Sequence, residues 1–183
     1  HAALPAETAL ATASPARRTE LEDIIDSCRH IAHQPPRSFL DALHLVWFVP
    51  LAIQVGENVG LVCSGHIDRR LIGYYNADLD AGRLTRDRAL ELLEDLYFLT
   101  NDFWPGGAAF AVMVGGRDGD GNDVTNELSY LCLEAIRRTN LVYPTVGVCW
   151  HEGTPEALTD LATELIAAGH TTPAFFNDQV IQE

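Results

Sequence analysis

Three short stretches carry the residue types that do chemistry. "GGRDGDGND" (115–123) places Asp118, Asp120 and Asn122 at the first, third and fifth positions of a helix–loop–helix calcium loop. The sixth position of such a loop needs Gly and here holds Asp123; the twelfth needs a bidentate Glu and holds Ser129. A tight acidic turn that leaves a strand and caps the next helix accounts for the same residues and is the preferred reading. "SGHIDRR" (64–70) sets His66 beside Asp68 after a strand end, where polar side chains can face a cavity. The same residues read as a helix start, with Ser64 as N-cap and Asp68 near the positive end of the dipole, and this reading is favoured. In "VCWHEGTP" (148–155), Cys149 and His151 are two apart on a strand and so share a face. A thiol nucleophile and its base need that proximity, but no oxyanion turn or third orienting group accompanies them. His151 and Glu152 read more simply as a buried, hydrogen-bonded histidine or a loop pair. No GxGxxG or GK[ST] element supports nucleotide binding, and no Cys/His spacing fits zinc, so no metal is expected.

The elements that position these residues belong to an acidic chain. Of its 183 residues, 26 are acidic and 12 basic, all of them Arg, for a formal charge of −14. Nucleic-acid binding needs clustered cations and is disfavoured. Cys28, Cys63, Cys132 and Cys149 are far apart in a chain with enough apolar residues for a sizeable core, which suits reduced thiols in a cytoplasmic protein. The most apolar run, "LHLVWFVPLAIQV" (43–55), holds His44 and Pro50 and is too short for a bilayer, so no membrane is expected. The chain opens on His1 and closes on the strand-like "TPAFFNDQVIQE", as expected of a segment of a longer protein.

Residues 1–18, rich in Ala, Pro and Thr, predict a loop or poorly anchored helix. Apolar positions 21, 24, 25, 28 and 31 predict a helix up to the "PP" at 35–36, after which Ser38 caps a second helix over 38–55. Pro50 should kink or end that helix, which is apolar nearly all round and needs neighbours on every side. A short strand ends at Gly65, and helices follow over 66–82, closed by Gly82, and over 84–104, capped by Thr85 and ended by "PGG". Then come a strand over 108–116, a helix over 123–139 and a strand over 141–153. A helix capped by Thr154 with Pro155 at N1 leads to a last strand over 172–181. Alternating buried strands and helices predict an α/β fold with a parallel sheet.

In order along the chain, "PPRSFLDALHLVWF", "GHIDRRLIGYYNADLDAGRLTRDRALELL", "VMVGGRDGDGNDVTNELSYL", "HEGTPEAL" and "TPAFFNDQVI" resemble the pyruvate formate-lyase domain of glycyl radical enzymes. An N-terminal loop/helix segment over 1–34 precedes the matched part, and over 35–183 the resemblance implies a fragment of a ten-stranded α/β barrel. It also implies a parent that is a glycyl radical lyase, dehydratase or decarboxylase acting on a small carboxylate or alcohol through a thiyl radical. The glycyl radical would be installed by a radical-SAM activating enzyme, and the parent is expected to be a homodimer. The thiyl Cys lies, in the family, on a loop after the strand matched by "PAFFND", and the radical Gly much further on. None of the four cysteines falls there, so no catalytic residue is assigned, no cofactor is expected on this segment, and the segment alone is expected to be inactive. A non-catalytic, small-molecule-binding relative of the same barrel is the alternative.

Departures from the family pattern bear on substrate. In polyol dehydratases of the family, a His-Ser pair before the "GRFDQ" element binds substrate hydroxyls; Leu61 and Val62 stand near that place here. His66 replaces the family Arg and Arg69 its Gln. A less polar or differently charged substrate is therefore expected. The resemblance makes Leu61, Val62, His66, Phe110, Phe175, Phe176 and Asn177 the substrate-pocket candidates. Phe175 and Phe176 are expected on opposite faces of the last strand, one of them towards the cavity.

Overall fold

The computed structural model describes residues 3–57, 59–103 and 109–181. Four strands, β1 (Leu61–His66), β2 (Ala109–Gly115), β3 (Thr145–Trp150) and β4 (Ala174–Asn177), form one sheet in sequential order, every neighbouring pair parallel. Parallel neighbours require crossovers. Helices α4 (Ile67–Asp80) and α5 (Arg86–Phe103) make the first, α6 (Glu127–Thr139) the second and α7 (Glu156–Ala167) the third. Ahead of the sheet stand α1 (Leu4–Ala9), α2 (Pro15–Ile31) and α3 (Phe39–Glu57), and α8 (Asp178–Ile181) follows β4.

Strand alternation divides the sheet into two unlike faces. Val62, Phe110, Val112, Val114, Val146 and Val148 point into a core shared with Leu71, Leu90, Leu93, Leu131 and Leu158 of the crossover helices. The opposite parity carries Cys63, Ala111, Met113, Gly147, Cys149 and Phe176, none of which belongs to the core shared with the crossover helices, and is the open face.

The chain ends differ from the sequence reading. Residues expected to be a loop or poorly anchored helix form α1, because Ala3 and Ala6 pack on Leu21, Ile25 and Cys28 in a small separate core. Ser14 caps α2, its Oγ accepting from the Arg17 amide at 3.4 Å. The last strand stops at Asn177, whose Oδ1 accepts from the Gln179 and Val180 amides and turns the chain into α8. Thr154 does not cap α7: its Oγ1 accepts from the His151 amide at 2.9 Å, and Pro155 occupies the N-cap position. The expected helix end at Trp104, the "PGG" stop and the strand start at Ala108 lie outside the described residues.

Helix α3 runs through Pro50 to Glu57, so the proline does not end it. Ser38 caps it as expected, its Oγ accepting from the Asp41 amide. Its first half is buried through Phe39, Ala42 and Leu43, whereas Val49, Ile53 and Val55 are exposed. At 19 residues it is, among the described residues, the one helix long and apolar enough to cross a membrane. The length argument drawn from residues 43–55 therefore does not hold for the whole helix, although a core helix satisfies the same test.

Candidate functional site at the carboxyl end of the sheet

The bulge between Cys63 and His66 shifts the β1 register and lets His66 pair with Met113 on the open face. His66 Nε2 lies 3.9 Å from Cys149 Sγ on β3, and its Nδ1 has no hydrogen-bond partner among the described residues. Burial, and then the charge of Arg69, push the His66 imidazole below its ordinary range. Burial, with Asp178 adding to it, pushes the Cys149 thiol up to about 11. The pair is therefore a neutral thiol beside a neutral imidazole, not a thiolate–imidazolium nucleophile.

Arg69, in the first turn of α4, reaches back to the end of β2. Its Nη2 donates to the Gly115 carbonyl at 2.8 Å, while its Nε is buried without a partner among the described residues. The approach is possible because Gly116 carries no side chain. A Cβ there would sit 2.7 Å from Arg69 Nη2 and 2.9 Å from both Asp178 Oδ2 and Cys149 Cβ, and its φ of +86° is itself a glycine conformation. Arg117 fastens the far side: its amide donates to Asp178 Oδ2 at 2.8 Å and its Nη2 to the Gln179 carbonyl at 3.2 Å.

Behind this rim, Asp68 is a strut rather than an exposed partner of His66. It is 0 % exposed; Oδ2 accepts from the Gly115 amide at 2.7 Å and from Ser129 Oγ at 2.6 Å, and Oδ1 from the Arg69 amide at 2.7 Å. Ser64, read as the cap of α4, instead lies in β1 with its Oγ buried and without a hydrogen-bond partner among the described residues. His151 does not meet Cys149. Its Nδ1 accepts from the Gly153 amide, which places the ring proton on Nε2, donated to Asp123 at 3.1 Å. The reading of His151 as a buried, hydrogen-bonded histidine holds. Asp118 spends its carboxylate on the amides of Asp120 and Asn122 in its own turn. Among the described residues no group of three or more His, Cys, Asp or Glu is placed to hold a metal.

Of the pocket residues expected from sequence, His66 and Phe176 come together with Cys149 on the open face, and Leu61 lies on the same face at the opposite, exposed end of β1. Val62 and Phe110 do not belong there, since both point into the helix-covered core, Phe110 with no exposure at all. Phe175 takes the parity of Val148, away from the open face, and Asn177 is the cap of α8. Sequence reasoning missed Met113, Gly116, Arg117 and the reach of Arg69. The alternation that selects Cys149 also selects Met113 through the β2–β3 register, but register is a tertiary fact.

The whole chain, residues 1–183, matches the family model described as pyruvate formate lyase-like. It is 32% identical to the isethionate sulfite-lyase of Oleidesulfovibrio alaskensis over 99% of this chain and 24% of that protein. Among solved structures, a Roseburia inulinivorans protein of 1,2-propanediol dehydration superposes with a TM-score of 0.91 at 31% identity, over 98% of this chain and 24% of that one. A glycyl radical enzyme from Archaeoglobus fulgidus superposes with a TM-score of 0.83 at 32% identity, over 91% of this chain and 23% of that one. The chain thus spans about a quarter of the length of the relatives it matches, and its four parallel strands are a section of the glycyl radical enzyme barrel. Matched along its entire length, the chain belongs to the pyruvate formate lyase-like family.

Proposed function

We propose that the parent protein is a glycyl radical enzyme that breaks a C–C, C–O or similar bond in a small carboxylate or alcohol, and that this chain forms part of the wall of its substrate cavity. The observation that carries the reading is similarity along nearly all of this chain to about a quarter of a sulfite-lyase and of a propanediol-dehydration structure. The geometry supports it: polar groups gather at the carboxyl ends of parallel strands, where α/β barrels keep their working residues. A glycyl radical, installed by a radical-SAM activating enzyme, supplies hydrogen abstraction through a thiyl radical in the parent. The residues of this chain bind and shield. His66 and Cys149 stay neutral, so neither competes as an acid or a nucleophile near neutral pH. Met113 and Phe176 lie over Gly147, whose missing side chain leaves room for them. The partners of the reading are a small-molecule substrate, the remainder of the parent chain, the activating enzyme and a second copy of the parent, in the cytoplasm.

The deciding experiment treats the full-length parent anaerobically with its activating enzyme and records the electron paramagnetic resonance spectrum. A glycyl doublet and turnover of a small hydroxylated substrate are expected from the parent, and no doublet from residues 1–183 alone. A parent that never develops the doublet would falsify the reading.

A further inference from the structure

The N-terminal helices form an arm of their own. Ala3, Ala6, Leu21, Ile25 and Cys28 make a small core that shares no residue with the main one, and α3 is the principal partner of α2 outside the arm. The seam between α2 and α3 is loosely packed. A cavity of about 460 Å³ opens between Cys28 and Ile31 on one side and Leu45, Phe48 and Leu51 on the other. Dispersion contacts along this seam therefore stabilise docking less than in a close-packed helix pair. A chain of polar contacts crosses it instead. Arg37, in the connector, donates to Asp26 of α2 at 2.8 Å and to Asp41 of α3 at 2.9 Å. Ser27 of α2, 2% exposed, bonds His44 Nδ1 of α3 at 2.7 Å and also steadies the Asp41 carboxylate.

His44 is the member of that chain whose charge changes near neutral pH. Its ring is half-buried and stands 5.9 Å from that of Phe48. Neutral, it meets the Ser27 hydroxyl with one nitrogen and brings no charge into the seam. Protonated, it brings a full charge and a second N–H against an apolar wall. Burial pushes the imidazole below its ordinary range, although the Asp41 carboxylate pulls it up. The other ionisable groups of α2 at this seam are Cys28, whose thiol burial raises, Asp26, held by Arg37, and His30, which bonds the Pro35 carbonyl at 2.8 Å.

We propose that the Ser27–His44 contact is a pH-sensitive latch that docks the arm on α3 and releases it as the protein is acidified. An undocked His44 takes up a proton around the ordinary value of about 6.5, before a docked one does. Docking is therefore fully present above that value and is lost as pH falls below it. The loss is confined to the arm, because the arm's core is separate from the main one. This window lies above the one in which Asp41 itself takes a proton.

Hydrogen exchange read by mass spectrometry on the full-length parent tests the latch, with rates corrected for the intrinsic pH dependence of exchange. Between about pH 7.5 and about pH 5.5, protection of α2 should fall by about threefold or more while that of α6 holds. His44→Gln should flatten that dependence, and His30→Gln should leave it in place. Ser27→Ala should lower the protection of α2 already at the higher pH. Flat protection of α2 across the range, an equal fall in α6, an unchanged fall in a folded His44→Gln protein, or loss of the dependence in His30→Gln overturns the proposal. Should His44→Gln fail to fold, wild-type protection of α2 in Ser27→Ala overturns it instead.

Discussion

Cys149 and His66 show how neighbours decide what a reactive-looking residue can do. The thiol is 3% exposed and held near 11, so at neutral pH it is almost entirely S–H. Iodoacetamide should therefore label the exposed Cys63 first and Cys149 slowly, at a rate that climbs as pH approaches 11; peptide mass spectrometry over a pH series checks the order. Gly116 is the second residue-scale constraint. Gly116→Ala forces a left-handed conformation, costing about 1–2 kcal/mol, and drives a methyl into Arg69, Asp178 and Cys149, adding about 1–3 kcal/mol. A lowered melting temperature is the expected result; an unchanged one would show that the rim yields freely.

At the scale of elements, buried carboxylates tie the layers together. Asp68 joins the start of α4 to the end of β2 and to Ser129 of α6, and Asp78 joins α4 to the start of α3 by accepting from the Phe39 amide at 2.8 Å. Asp68→Ala leaves the Gly115 amide and the Ser129 hydroxyl without acceptors and should destabilise the fold by about 2–5 kcal/mol. Denaturant titration against Ser129→Ala, which removes one of those bonds, should show the larger loss for Asp68. Asp41 governs the α2–α3 pair. Burial raises its carboxyl, but the bonds from Arg37 outweigh this and leave it below the ordinary carboxylate range. A depressed carboxylate contributes stability that is fully present above the unfolded value, about 3.9, and is lost as pH falls through the folded one. Unfolding followed by circular dichroism should therefore show a loss of stability below about pH 4 that Asp41→Asn reduces.

On the whole-molecule scale, α3 is the exception to a well-covered core. Its all-round apolarity predicts neighbours on every side, yet Val49, Ile53 and Val55 of α3 and Phe98 and Leu99 of α5 remain exposed. Contiguous apolar surface of this kind drives association. The isolated chain should elute from a sizing column above its monomer mass of 20.1 kDa, and Val49→Glu with Val55→Glu should shift it towards monomer. A monomeric wild-type chain would show that this face is compatible with water as it stands.

Periodicity and punctuation sufficed to read the crossover helices, the alternation of strand with helix and the parallel class, because local patterns of burial and capping are written in adjacent residues; strand bounds are less local, and β3, expected from 141, begins at Thr145. Gly82 ends a helix for a reason visible within a few positions, as its φ of +67° bears out, whereas the Asn126–Ser129 capping box starts α6 at Glu127, four residues after the expected 123. The ordered motifs likewise point to the family. Register was not legible, and register decides the site. Whether Phe110 or Met113 faces the cavity depends on which parity the helices cover, and the bulge after Cys63 resets that parity for His66. The pairing of His66 with Cys149, rather than His151 with Cys149, spans 83 residues of sequence separation. Such a contact is fixed only when parallel strands lie side by side, since a side chain's neighbours across a sheet come from crossover geometry and not from its own stretch of chain.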